Sequence, residues 1–237
     1  MSRPSATKRA SKRPSEALLD EIHQALKRAF GEVQAPIMDL VAAQTQDPYR
    51  ILVGTLLSAR TKDQTTAAAI GRLFPVAPDP EALERLSIEE IERLIFPVGF
   101  YHAKAQHLKA LPKVLRERFG GVIPHTVEEL VELPGVGRKT ANLVVALAFH
   151  LPAICVDTHV HRINNRLGLV KTKTPLETEM ALRKLLPERL WMDWNAIFVS
   201  FGQTRCKPIG PKCDGCPIGH LCPQGSLRSQ STGNSRQ

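Results

Sequence analysis

An all-α fold is predicted by three features of the sequence. Apolar residues recur at three- and four-residue spacing, alternating β-branched runs are scarce, and proline or glycine interrupts the pattern at short intervals. With 43% apolar residues in a chain of 237, there is enough material for a buried core, in one large domain or two intimate lobes.

The elements follow in order. Residues 1–15 carry Arg3, Lys8, Arg9, Lys12 and Arg13 among Ser, Ala and Pro, with no acid, which predicts a disordered basic arm. A solubilising tail, a non-specific DNA tether and a transit peptide all suit that composition. Ser15 to Gly31 is an amphipathic helix candidate with Leu18, Leu19, Ile22, Leu26 and Phe30 on one face. Asp47-Pro48 reads as a helix start, with Asp as cap and Pro at the first helical position. Thr61 with Gln64, Ser87 with Glu90, and Thr126 with Glu129 have the spacing of capping boxes, in which a hydroxyl caps an amide and the later side chain reaches back. From about Pro48 to His150 these helices succeed one another through short turns, as in a compact bundle.

The net charge of +9 makes nucleic acid the leading partner class, because a basic surface releases the counterions condensed on a polyanion. Without the basic arm the rest of the chain is still basic. The longest apolar run, Leu143 to Phe149, is far shorter than the roughly 18 residues that span a bilayer, and no signal-peptide pattern opens the chain. Neither membrane insertion nor export is expected. Five cysteines, an odd number, suit a metal site in a reducing compartment better than a disulfide framework.

Leu133-Pro134-Gly135-Val136-Gly137 joins the helix capped by Thr126 to an apolar helix from Arg138 toward Phe149. Gly135 and Gly137 are expected to allow positive φ and a close approach, so that successive amides at the start of the second helix face a phosphate-sized anion. An ordinary helical connector is the plain alternative. Arg138-Lys139-Thr140 then puts a lysine in the first helical turn, where the helix dipole disfavours an ammonium. Stability does not call for it; phosphate binding or nucleophilic chemistry does. Asp157, in Val156-Asp157-Thr158-His159, stands at the expected start of a further helix and by itself reads as an N-cap. Cys206-x6-Cys213-x2-Cys216-x5-Cys222, studded with Pro208, Pro211, Pro217 and Pro223, forms a loop that cannot be helical and has only one of the two C-x2-C knuckles usual for zinc. Cys155 fits no metal spacing and reads as core, and His159 and His161, two apart, as local packing.

Leu-Pro-Gly-Val-Gly resembles the helix-hairpin-helix element of DNA-repair proteins. Together with Arg-Lys-Thr-Ala-Asn to position 142, Val-Asp-Thr-His at 156–159 and the four cysteines, it resembles endonuclease III from about Asp47 to Cys222. The resemblance implies two helical lobes, a helix-hairpin-helix bundle and an iron-sulfur cluster lobe, flanking a DNA-binding groove. Here that gives 41–151 as the bundle and 16–40 plus 152–223 as the cluster lobe, between the arm and a disordered tail at 224–237. It also implies a bifunctional DNA glycosylase and abasic-site lyase acting as a monomer on double-stranded DNA with damaged bases, oxidised pyrimidines above all, or abasic sites. Lys139 would be the catalytic nucleophile and Asp157 its partner, while Cys206, Cys213, Cys216 and Cys222 would ligate a 4Fe-4S cluster. Gly135, Gly137, Arg138 and Thr140 would contact the DNA backbone. Lys207 and Lys212 would present charge to a phosphate, with solvated lysines the plain alternative.

Two loops depart from the family pattern. Arg60, in Leu57-Ser58-Ala59-Arg60, stands where Gln is usual, and Phe100, Tyr101 and His102, ahead of Lys104, stand where Leu-Tyr-Asn is usual. Arg60, Phe100, His102 and Lys104 are therefore candidate DNA contacts whose substitutions bear on opposite-base preference, although Phe100 also reads as core. The alternatives are a monofunctional adenine-type mismatch glycosylase and a non-catalytic metal-containing DNA-binding protein. Lys139 argues against the first; the second leaves Lys139 and Asp157 unexplained. Such an enzyme is expected with the nucleoid in the cytoplasm of a bacterium, or in the nucleus or mitochondrion of a eukaryote.

Overall fold

The computed structural model describes residues 14–30, 41 and 45–224, and among these every regular element is helical. The basic arm up to residue 13, residues 31–40 and the tail beyond 224 lie outside the described residues. The described helices are α1 (Glu16–Phe30), α2 (Pro48–Ser58), α3 (Asp63–Leu73), α4 (Pro80–Arg85), α5 (Ile88–Ile95), α6 (Tyr101–Phe119), α7 (Val127–Leu130), α8 (Arg138–Phe149), α9 (Thr158–Arg166), α10 (Pro175–Leu185) and α11 (Trp191–Thr204). None is long and apolar enough to cross a membrane.

The chain divides into two compact units. The first runs up to Asp157 and takes in Trp191–Asn195; the second combines α1 with Thr158–Leu190 and the chain from Ala196 onward. In these units the change comes after Asp157, and Trp191–Asn195 of α11 belong with the bundle.

The bundle is organised around α2. Tyr49 and every residue from Ile51 to Leu57 are buried, so this helix is covered around its circumference, as a central helix must be. It packs against α3, α6 and most extensively α8, while α4 and α5 pack on α6, and α7 on α8. Pro112 sits inside α6 and the helix still runs to Phe119, because Leu108, Leu111 and Leu115 are buried in the same core. In the second unit α1 buries Leu19, Ile22 and Leu26, and the Phe30 ring packs tilted against Phe201, with centroids 5.3 Å apart. Arg189 bridges Glu16 and Asp20 at 2.8 and 2.7 Å, so a cation far along the chain holds the N-terminal helix.

The expected helix starts meet different fates. Asp47 caps α2 by accepting from Tyr49 N at 2.9 Å, with Pro48 in the first position. Ser87 and Glu90 form both hydrogen bonds of a capping box. Thr126 accepts from Glu129 N, but the Glu129 carboxylate accepts from the Thr126 hydroxyl and does not reach the backbone, leaving half a box. The Thr61–Gln64 box does not form. Lys62 precedes α3 with no side-chain cap, and the Thr61 hydroxyl instead accepts from Gly99 N and Lys104 Nζ at 3.1 and 3.3 Å. Tertiary donors displace the local amide there.

Because the Ser87 hydroxyl satisfies an otherwise free amide, Ser87→Ala should lower unfolding stability by about 1 kcal/mol in urea titration.

Candidate active site

The hairpin is built by burial at its flanks. Leu130, Leu133, Val136 and Ala141 anchor both sides in the core, and Val136 N donates to Leu133 O at 3.1 Å to close the turn. Gly135 has φ 75° and lies so close to α6 that a methyl there would come 2.5 Å from His107 Nδ1. Gly137 differs from expectation. It is the extended N-cap residue of α8, φ −88° and ψ 167°, and open space surrounds its Cα. Only Gly135 is required by left-handed backbone and close approach. The first amides of α8 have no partner within the helix and form a donor cluster beside exposed Gly137 and half-buried Thr140. The Arg138 guanidinium lies 3.4 Å from Glu128 Oε1.

Lys139 follows immediately, and its Nζ lies 3.6 Å from Asp157 Oδ2. The lysine side chain is 54% exposed and the carboxylate 12%, so the amine reaches solvent while its partner is held. Asp157 follows a buried non-helical segment, Ala153 to Val156, that runs beside the start of α8. Two bonds fix that course: Cys155 Sγ donates to Lys139 O at 3.5 Å, and Asn195 Nδ2 donates to Cys155 O at 2.9 Å. Cys155 is core, as expected, but it also ties the segment ending at Asp157 to the Lys139 backbone. Asn195 has no sequence signal, since its role depends on α11 meeting a segment forty residues earlier.

In the two departing loops, Lys104 does not point outward. Its ammonium donates to Leu57 O, Ala59 O and Thr61 Oγ1 at 2.9, 2.6 and 3.3 Å, and burial pushes it down to about 8. These three acceptors tie the ammonium to the loop that precedes α3. His102 is exposed, with Nδ1 2.7 Å from Glu92 Oε1 and its ring stacked 4.0 Å from Tyr101. Phe100 is 64% exposed and so is not core, and Arg60 is exposed beside it.

The four cysteines line one cavity together with Ile163, Leu167, Phe201 and Ile218. Arg166 encloses the loop from below, its Nη1 lying 3.4 Å from Cys206 Sγ and donating to Lys207 O, its Nη2 donating to Pro208 O. Arg162 donates to Cys206 O at 2.8 Å and Arg205 to Asp214 O. Burial pushes the Cys216 thiol up, opposed by the Ile218 amide and Arg205. Among the described residues no three His, Cys, Asp or Glu side chains are gathered to hold a single metal ion. Lys207 and Lys212 are exposed. His159 packs against Gly202, and His161 Nδ1 meets Thr178 Oγ1 at 2.6 Å, so both histidines serve packing.

Residues 53–188 match the model of the HhH-GPD superfamily of base excision DNA repair proteins. The chain is 49% identical over 176 residues to endonuclease III of Thermotoga maritima, covering 74% of this chain and 83% of that one. It is 45% identical over 193 residues to the chloroplastic endonuclease III homolog 2 of Arabidopsis thaliana, of whose length it spans 50%. Its fold matches a trapped endonuclease III–DNA covalent intermediate with TM-score 0.78 at 33% identity, covering 91% of this chain and 99% of that one. A non-covalent endonuclease III–DNA complex matches with the same score at 32% identity.

The two hairpin glycines should separate on substitution. Gly135→Ala, strained in φ and crowding His107, is expected to cost about 1–3 kcal/mol of unfolding stability, whereas Gly137→Ala should cost well under 1 kcal/mol, both read by urea titration.

Proposed function

This chain belongs to the endonuclease III family of helix-hairpin-helix base-excision repair proteins, a DNA glycosylase with abasic-site lyase activity on damaged double-stranded DNA, and we propose that Lys139 and Asp157 carry its chemistry. The observation that carries the proposal is the 3.6 Å approach of Lys139 Nζ to a held carboxylate, at the helix start that follows the hairpin.

With a nucleotide flipped from the stack, the Lys139 amine attacks the sugar C1′, and the base leaves with the bonding electrons. Ring opening gives an imine between Nζ and C1′. Loss of a C2′ proton then expels the 3′ phosphate by β-elimination and nicks the strand. Asp157 is suited to two parts of this sequence: its anion stabilises cationic character at the sugar, and at 3.6 Å it takes the proton that the ammonium must lose before attack. The α8 amides with Gly135, Gly137, Arg138 and Thr140 hold a backbone phosphate, and exposed Lys207 and Lys212 add charge. Oxidised pyrimidines are the lesion class we assign.

Cys206, Cys213, Cys216 and Cys222 would hold a 4Fe-4S cluster. Four thiols around a partly apolar cavity suit a group larger than one ion, and Arg166 and Arg205 offset thiolate charge. Such a group supplies rigidity to the loop, because base excision and elimination transfer no net electrons. With its DNA substrate, the protein is assigned to a DNA-containing compartment.

Borohydride should trap the wild-type protein covalently on a duplex bearing an oxidised pyrimidine or abasic site, and Lys139→Ala should abolish trapping; equal trapping by the variant would refute the assignment. Purified protein should be brown with about four irons per chain, and a colourless protein with one zinc would overturn the cluster.

A further inference from the structure

Arg205 closes α11 and immediately precedes the first cysteine of the loop. Its backbone is tied at both ends: N donates to Phe201 O at 3.0 Å, and O accepts from Lys212 N at 3.1 Å. Its side chain reaches nine residues further on, where Nη2 donates to Asp214 O and lies 3.4 Å from the point at which a Cβ on Gly215 would stand. One arginine thus joins the helix end, the start of the loop and the Cys213–Cys216 knuckle.

Two observations point past the backbone. The Arg205 Nε–H is buried and has no hydrogen-bond partner among the described residues, although buried donors are rarely left unpaired. The guanidinium also acts on the Cys216 thiol as a donor and a positive charge. Cys216 lines the cavity and Arg205 does not, so the guanidinium reaches this sulfur from outside it. A neutral thiol is a weak acceptor, whereas the charge on a metal-bound thiolate makes a donor's bond strong. The donor is therefore matched to a cysteine that holds metal.

We propose that Arg205 donates to the metal-bound sulfur of Cys216 and thereby raises the one-electron potential of the cluster, which protects it from oxidation. The inference rests on the 4Fe-4S reading above. Reduction adds one electron to a group whose thiolate ligands are already negative, and a cation held against one of them stabilises the reduced form more than the oxidised. The guanidinium stays protonated throughout, so no proton accompanies the electron. A raised potential suits a cluster whose work is to keep a loop rigid, because such a cluster has only to persist.

The test is film voltammetry of the purified holoprotein, with the electrode as the electron source. Arg205→Gln should lower the midpoint potential by about 59 mV, equivalent to a tenfold smaller ratio of reduced to oxidised protein at a fixed potential. Arg205→Lys keeps the charge without the fork and should recover about half of that shift. Lys207→Gln removes an equal charge from an exposed part of the loop and should leave the midpoint in place. An unmoved midpoint in Arg205→Gln, no recovery in Arg205→Lys, or an equal shift in Lys207→Gln overturns the proposal. If Arg205→Gln does not take up iron, Arg205→Lys carries the test, and a midpoint equal to that of wild type overturns it. Metal analysis of wild type separates the two readings: iron with a midpoint that Arg205→Gln leaves unmoved refutes the Arg205 assignment alone, whereas zinc refutes the cluster itself.

Discussion

Everything at the candidate site depends on keeping a lysine at the positive end of a helix. The dipole of α8 opposes the Lys139 ammonium, and the Asp157 carboxylate, 3.6 Å away, is the compensating charge. For that carboxylate to be there, the segment Ala153 to Val156 must run buried beside the start of α8, which Cys155 and Asn195 secure through backbone contacts. For α8 to receive it, the helix must itself be anchored, and Ala141, Val144 and Val145 against central α2 provide that anchor. The bundle is in this sense a mount for one amine. The arrangement leaves the lysine half exposed and its partner largely covered, which suits a nucleophile that must reach a ligand and an acid that must stay in place.

The cysteine loop faces a different constraint. Its prolines rule out a continuous α-helix, and only a 3-10 turn at Gly219–Leu221 forms, so several of its carbonyls find donors elsewhere. Three arginines supply them: Arg162 to Cys206 O, Arg166 to Lys207 O and Pro208 O, and Arg205 to Asp214 O. Guanidinium groups that satisfy the backbone also surround the thiols with positive charge, so the same side chains shape the loop and favour thiolates within it.

The strained pair Arg60 and Phe100 shows a third use of the same economy. Two non-glycine residues in left-handed backbone are tolerated because Lys104 and Thr61 bind the loops from within. Lys104 binds backbone carbonyls of the neighbouring loop, and a phenylalanine that could have been core is presented to solvent. Both outcomes follow from the direction in which α6 starts, a property of the packed bundle.

Periodicity and local chemistry were enough to determine the helical class, the Asp47-Pro48 and Ser87–Glu90 starts and the sharp turn at Gly135, because each depends on neighbours within a few positions. The tertiary structure decided what depends on distant partners. Thr61 left its local cap for Gly99 and Lys104, the change of unit fell after Asp157 with five residues of α11 joining the bundle, and Asn195 entered the site without any signal of its own. The reason is the same in each case: a hydrogen-bonding group takes the best-placed partner available, and only the packed chain determines which partners are near.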